Sequence, residues 1–276
     1  MVLTNAQIEF YRKEGYLVIE NLLDERDISL VRKRLAQFNQ YQDLPSVICD
    51  DNNEIRSVFA PHLNDTVFDA FYRWARFVVP SQQLVGDDIY LYQYKLNLKK
   101  AFAGISWEWH QDFAYWQLDD GVVKPDMISL MIYLNDTRSY QGPLLVIPRS
   151  HRFDVVAFQK KKMLDEAVPK EMDLIHSLGA NLKYTVNEKM LTSLADQFGI
   201  KVLEHKAGTG IFFHPNLFHA SNANISPYNR DTAILTYNSI HNLPENTNRP
   251  SYVVCQNTQP IVPIPDTAEL TSQVLN

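Results

Sequence analysis

Apolar side chains recur at helical spacing near the start of the chain and at strand spacing farther on, and this change of period divides it. Thr4 and Gln7 have the separation of a capping box, which predicts a short helix over 5–14 closed by Gly15, a residue able to take the left-handed conformation. Residues 16–19, Tyr-Leu-Val-Ile, read as a strand. Asp24 can cap a second helix, in which Ile28, Val31, Leu35 and Phe38 repeat every three to four positions. A third helical stretch is expected over about 64–84, interrupted at Pro80. From residue 88 the pattern changes to β-branched and aromatic runs at 88–97, 128–134, 144–147, 209–213 and 231–240. Turn signals such as Gln141-Gly142-Pro143 and His214-Pro215-Asn216 separate them. The expectation is a mainly β protein with flanking α-helices, its strands paired in a sandwich or barrel of the jelly-roll kind.

Between these strands, 152–201 is polar and partly helical, notably at 160–166, and stands where a β protein carries a lid-like insertion. The expected layout is one domain over 1–276. It has helical support over about 1–87, a jelly-roll core over about 88–241 and an extended, loosely held tail over about 242–276.

Composition narrows the function classes. The chain has 276 residues, of which 45% are apolar and 12% aromatic, enough to build a core without staples. Its two cysteines, Cys49 and Cys255, lie over two hundred positions apart and form no CxxC pair, which argues against a disulfide scaffold or a thiolate zinc site. With 26 Lys and Arg against 32 Asp and Glu the net charge is −6, so no basic footprint for nucleic acid exists. No run of 18 apolar residues and no signal-like start is present, and a cytoplasmic protein without membrane partners is expected.

The chemistry concentrates in Trp107-Glu108-Trp109-His110-Gln111-Asp112-Phe113. In a strand or extended turn, His110 and Asp112 point the same way and present an imidazole and a carboxylate to one point. The third ligand is expected at His219, with His214, five residues earlier and directly before a proline, as its rival. Two histidines and a carboxylate form the facial triad of non-haem Fe(II) oxygenases. Arg230, eleven residues after His219, stands where a bidentate pair with the distal carboxylate of 2-oxoglutarate would need it.

The same residues carry a family resemblance. The tract from Gln93 through Ala101-Phe102-Ala103-Gly104 and His110-Gln111-Asp112 to Trp116 is similar to the phytanoyl-CoA dioxygenase-like Fe(II)/2-oxoglutarate oxygenases. The likeness continues through 142–151 and 219–230. Within that group it resembles the ectoine hydroxylases and, more closely, the L-leucine 5-hydroxylases of nonribosomal-peptide pathways, by His214-Pro215 and Asn224-Ile225-Ser226-Pro227. Gln111 and Ala114-Tyr115-Trp116-Gln117 depart from the ectoine pattern, which has Ser and Glu-Thr-Trp-His there. The resemblance implies a double-stranded β-helix, with Fe(II) on His110, Asp112 and His219. Lys99 and Arg230 would contact 2-oxoglutarate, and Gln93 and Trp116 would face the primary substrate. It further implies O2 as oxidant and a small amino acid as partner, L-leucine hydroxylated at C5. Ectoine, another aliphatic amino acid or a carrier-bound substrate stand as alternatives, a non-catalytic metal-binding jelly roll as the remote one. A radical halogenase is disfavoured because Asp112 occupies the halide position.

Overall fold

The structure, a computed structural model, describes residues 1–50, 53–153, 188–246 and 248–266. Its first helix, α1 (Asn5–Glu14), is closed at both ends as its sequence dictates. The Thr4 side chain accepts from the Gln7 N–H, the Gln7 side chain accepts from the Thr4 N–H, and Gly15 takes φ +83°. β1 (Tyr16–Ile19) follows, then α2 (Glu25–Gln37), whose cap Asp24 accepts from the amides of Arg26 and Asp27.

The expected helix over 64–84 is two helices, α3 (Thr66–Phe71) and α4 (Ala75–Val85), and the break falls at residues 72–74. Pro80 lies inside α4. Its missing N–H costs one ladder bond, about 3 kcal/mol in an isolated helix. Burial of Phe77, Val78 and Ser81 on the same helix offsets this. Before these helices comes a hairpin the sequence reading overlooked, β2 (Val47–Cys49) and β3 (Ile55–Phe59). The first 87 residues are therefore more than helical support, because β1, β2 and β3 all join the larger sheet.

Beyond them run β4 (Ile89–Lys99), β5 (Trp107–His110), α5 (Asp112–Asp120), β6 (Met127–Tyr133) and β7 (Leu144–Val146). These are followed, among the described residues, by α6 (Glu188–Phe198), β8 (Lys201–Leu203), β9 (Gly210–Phe213), β10 (His219–Ser221) and β11 (Arg230–Ser239). Two antiparallel sheets result, ordered β1-β9-β6-β11-β4-β3-β2 and β5-β10-β7-β8. Facing each other, they make the double-stranded β-helix.

Strand alternation assigns the layers. On β6, Ile128, Leu130 and Ile132 pack outward with Phe71, Trp74 and Phe77 of the helical layer. Met131 and Tyr133 pack inward with Leu144, Val146 and Leu203 of the smaller sheet. On β11 the outward positions are Ala233, Leu235 and Tyr237, whereas the buried inward ones include Arg230, Thr232, Thr236 and Asn238. A polar inner face on a central strand is costly unless something there uses it. β4, its neighbour, pairs Lys99 with Arg230, Asn97 with Thr232, Lys95 with Ile234 and Gln93 with Thr236. The register then shifts, and Leu91 faces Tyr237. This bulge at Tyr92 resets the alternation, so that Tyr92 shares the inner side with Gln93, Lys95, Asn97 and Lys99.

Of the lid-like insertion expected over 152–201, residues 154–187, including the stretch expected to be helical at 160–166, lie outside the described residues. Its C-terminal flank, α6, packs Leu194 against Ile147 and Phe218. The tail is fastened, contrary to expectation, as far as it is described. Val253 and Val254 are fully buried, Cys255 donates its N–H to Tyr92 O, and Ile264 bridges to Trp74. Apolar side chains at 253, 254 and 261 seal a gap beside β4 that the jelly roll leaves open. No helix among the described residues is long and apolar enough to cross a membrane.

Candidate metal centre and its cavity

His110 ends β5, Asp112 begins α5, and His219 opens β10. β5 and β10 are antiparallel neighbours in which His110 and His219 stand directly opposite, their ring centroids 4.2 Å apart. Asp112 joins them because the strand stops after His110 and the chain turns into a helix, and not because 110 and 112 alternate along one strand. Its Oδ1 lies 3.7 Å from His110 Nε2 and 3.8 Å from His219 Nε2. Among the described residues these three form the group whose ligand atoms all lie within 4.8 Å of one another.

The hydrogen bonds around the rings settle which atoms face the centre. His110 Nδ1 is 2.7 Å from Glu108 O, and His219 Nδ1 is 2.9 Å from Leu217 O. A carbonyl only accepts, so each Nδ1 carries a proton and each Nε2 faces Asp112. Burial, with His219 adding to it, pushes the His110 pKa down to about 3, so that ring stays neutral. Burial opposes ionisation of Asp112 too, but the nearby His219, Lys95 and His110 outweigh it and hold the carboxyl below its usual value. Two imidazole nitrogens and a half-buried carboxylate thus converge on one point, an arrangement a divalent cation fits.

His214, the rival, is turned away. Its Nδ1 accepts from the Asn216 N–H, its ring lies against His151, and burial followed by His151 lowers its pKa to about 3.

The cavity beside the triad has two lobes that share Lys95, Asn97, Trp107, His110 and Asp112. The first runs past His219, Ser221 and Phe213 to Arg230. Arg230 is 4% exposed, and its Nε and Nη2 donate to Gly142 O at 3.0 and 2.8 Å, with Nη1 3.3 Å from Thr232 Oγ1. Among the described residues no carboxylate lies within ion-pair distance of it, so a buried guanidinium stands ready for a ligand's. Lys99 is its cross-strand partner, but the Lys99 Nζ is spent on Ser221 Oγ at 2.8 Å and on Asn222 O. It stands behind Ser221 and outside this lobe. Burial, with Arg230 beside it, brings its pKa down to about 6.

The second lobe is walled by Phe59, Tyr115 and Trp116 and holds Gln93. Trp116 meets Tyr92 edge to face at 5.5 Å. Gln93 donates its amide nitrogen to Val253 O at 3.0 Å, leaving the amide oxygen for the lobe. Phe113, beside Asp112, is absent from the lobe's lining and packs into the cluster of Tyr90, Val122 and Val253. Lys95 and Arg249 were missed. The even spacing of 93, 95, 97 and 99 along β4 could have found Lys95 and Asn97. Arg249 lies in the tail and carries no local signal.

Comparison with known proteins gives the lineage. The family model for phytanoyl-CoA dioxygenase (PhyH) matches residues 11–232. L-proline trans-4-hydroxylase of Streptomyces griseoviridis is 33% identical over 92% of this chain and 93% of its own. Ectoine dioxygenase of Sphingopyxis alaskensis is 31% identical over 86% of this chain and 76% of its own. The crystal structure of EctD from S. alaskensis with bound Fe superposes with a TM-score of 0.80 at 27% identity, covering 95% of this chain and 87% of that one. The same enzyme with 2-oxoglutarate and 5-hydroxyectoine gives 0.79 over 95% and 88%. A match across most of the chain, at this identity and on this fold, makes the protein a member of the phytanoyl-CoA dioxygenase family.

Proposed function

We propose that this protein is an Fe(II)- and 2-oxoglutarate-dependent dioxygenase that hydroxylates a free amino acid, and that the amino acid is L-leucine, oxidised at C5. The observation that carries the reading is the placement of the triad between two lobes, one ending in the carboxylate-free Arg230 and the other lined by Lys95 and Arg249.

His110, Asp112 and His219 would hold the iron, each imidazole fixed by a backbone carbonyl behind it. Bound there with 2-oxoglutarate and O2, it would supply the oxidising chemistry that places one oxygen on an aliphatic C–H carbon and releases succinate and CO2. The protein's share is orientation and the exclusion of water. Arg230 takes the distal carboxylate of 2-oxoglutarate as a two-pronged donor, its own plane set by Gly142 O and Thr232. Lys99 keeps Ser221 in place at the edge of that lobe.

In the other lobe, Phe59, Tyr115 and Trp116 offer an apolar wall for a side chain, and Gln93 an amide oxygen for an ammonium. Lys95 and Arg249, the latter ion-paired to Asp120, line this lobe and offer donors to a carboxylate-bearing substrate. L-proline is the second reading, favoured by the 33% identity to a proline hydroxylase along nearly the full length.

The test is to incubate the protein with Fe(II), 2-oxoglutarate, air and, separately, each common amino acid and ectoine, measuring succinate and product mass. Stoichiometric succinate with leucine, and a product one oxygen heavier at C5, is the expected outcome. Turnover confined to proline would replace the substrate and keep the chemistry; no succinate with any compound would overturn both.

A further inference from the structure

Asp120 closes α5, is fully buried, and touches neither lobe of the cavity. Three donors converge on it. Arg249 Nε reaches Oδ1 at 2.7 Å, Arg249 Nη2 reaches Oδ2, and the Tyr92 hydroxyl also donates to Oδ2. The guanidinium is thereby gripped through two of its three nitrogens. Nη1 has no hydrogen-bond partner among the described residues, and Arg249 lines the substrate lobe beside Gln93, Trp116, His110 and Asp112.

The neighbourhood is braced from several sides. Asn246 donates its N–H to Asp120 O at 3.1 Å, and Cys255 donates to Tyr92 O at 2.8 Å. Tyr92 reaches Asp120 because the bulge in β4 turns it inward next to Gln93. Two charges have been taken from water here, an arrangement that two apolar residues of similar volume could replace at equal or better stability. A buried pair kept beside a substrate lobe, with one arm of the arginine left over, has the form of a positioning device.

Taking the amino-acid hydroxylase reading as its premise, we infer that Asp120 and Tyr92 are positioning residues that aim Arg249 at the carboxylate of the substrate, and so set the preference for a free acid over a neutral analogue. Asp120 and Tyr92 touch no reactant; Arg249 Nη1 is the contact.

The experiment compares L-leucine with L-leucinamide, and L-proline with L-prolinamide, on the Fe(II)-loaded enzyme with 2-oxoglutarate. It uses the native chain, Asp120→Asn, Tyr92→Phe and Arg249→Lys. Succinate release gives KM and kcat, and calorimetric titration without oxygen gives Kd. The native enzyme should favour acid over amide. In Asp120→Asn, KM and Kd for the acid should rise roughly ten- to hundredfold, with a smaller rise in Tyr92→Phe. KM for 2-oxoglutarate and Kd for the amide should not move. Should loss of Asp120 prevent folding, Tyr92→Phe, which keeps the ion pair, and Arg249→Lys carry the test. Equal shifts for acid and amide, no acid preference in the native enzyme, or unchanged acid affinity in the folded variants would overturn the inference. Failure of leucine turnover with a changed acid-to-amide ratio on proline would overturn only the substrate assignment.

Discussion

Lone pairs pointing at one another are the clearest sign of purpose in this protein at the scale of single residues. His110, Asp112 and His219 were legible in the sequence because their chemistry is unusual and their spacing restricted, and Arg230 followed from them. What the sequence reading gave wrongly was the reason for their convergence: a strand end and a helix start bring Asp112 to His110. Arg249 could not be found this way, since the 129 positions between it and Asp120 hold no pattern. Ordinary residues obey the same electrostatics. Glu14 receives Arg149 Nε and Nη2 at 2.9 to 3.1 Å, and these bonds hold its carboxyl below its usual pKa against a smaller opposing effect of burial. A carboxyl lowered on folding adds stability that is complete above its unfolded pKa and fades as pH falls through its folded one. Glu14→Gln should therefore melt a few degrees below the native protein near pH 7, and thermal scans at successively lower pH should show the gap narrowing as the carboxyl protonates.

Elements were predicted well wherever caps and period agreed. α1 begins and ends, and α2 begins, where expected because Thr4, Gly15 and Asp24 each satisfy backbone groups that a helix end leaves unpaired. Asp24→Ala removes the acceptor for two amides and should lower stability by about 1 kcal/mol in a denaturant titration, with KM for 2-oxoglutarate unchanged. Short elements were the blind spot. β2 and β10 have three residues each, too few for a period to show, and they are held by pairing with β3 and with β5 and β7. Pro80 misled for another reason. Local propensity sees a breaker, while the buried face of α4 supplies the energy to run through it.

Over the whole molecule, the two sheets meet closely at Gly142, beside Arg230. Gly142 takes φ +71°, its carbonyl receives Arg230, and a Cβ there would stand 2.3 Å from Asn222 O and 3.1 Å from Lys99 Nζ. Gly142→Ala must push apart the loops after β10 and before β7. The expected result is a KM for 2-oxoglutarate raised roughly tenfold or more, read as succinate release against co-substrate concentration, with a smaller loss of melting temperature. The overall jelly roll was legible from the alternation of strands and turns. The closing of its substrate side by the tail was not, because that depends on contacts between β4 and residues 253–261 that no local pattern records.

One helix connects these scales. α5 begins with a residue of the triad, Asp112, and ends with the carboxylate that grips Arg249, eight residues later. At 1.5 Å per residue its ends are about 12 Å apart, and a helix hardly stretches. It acts as a ruler. If one end fixes the oxidising centre and the other the substrate's charged terminus, the enzyme selects a carbon by counting bonds from the carboxylate, with little regard to which C–H is weakest. Lengthening a substrate by one methylene at its far end should then leave the hydroxyl on the same carbon counted from the carboxylate, now one carbon farther from the chain end.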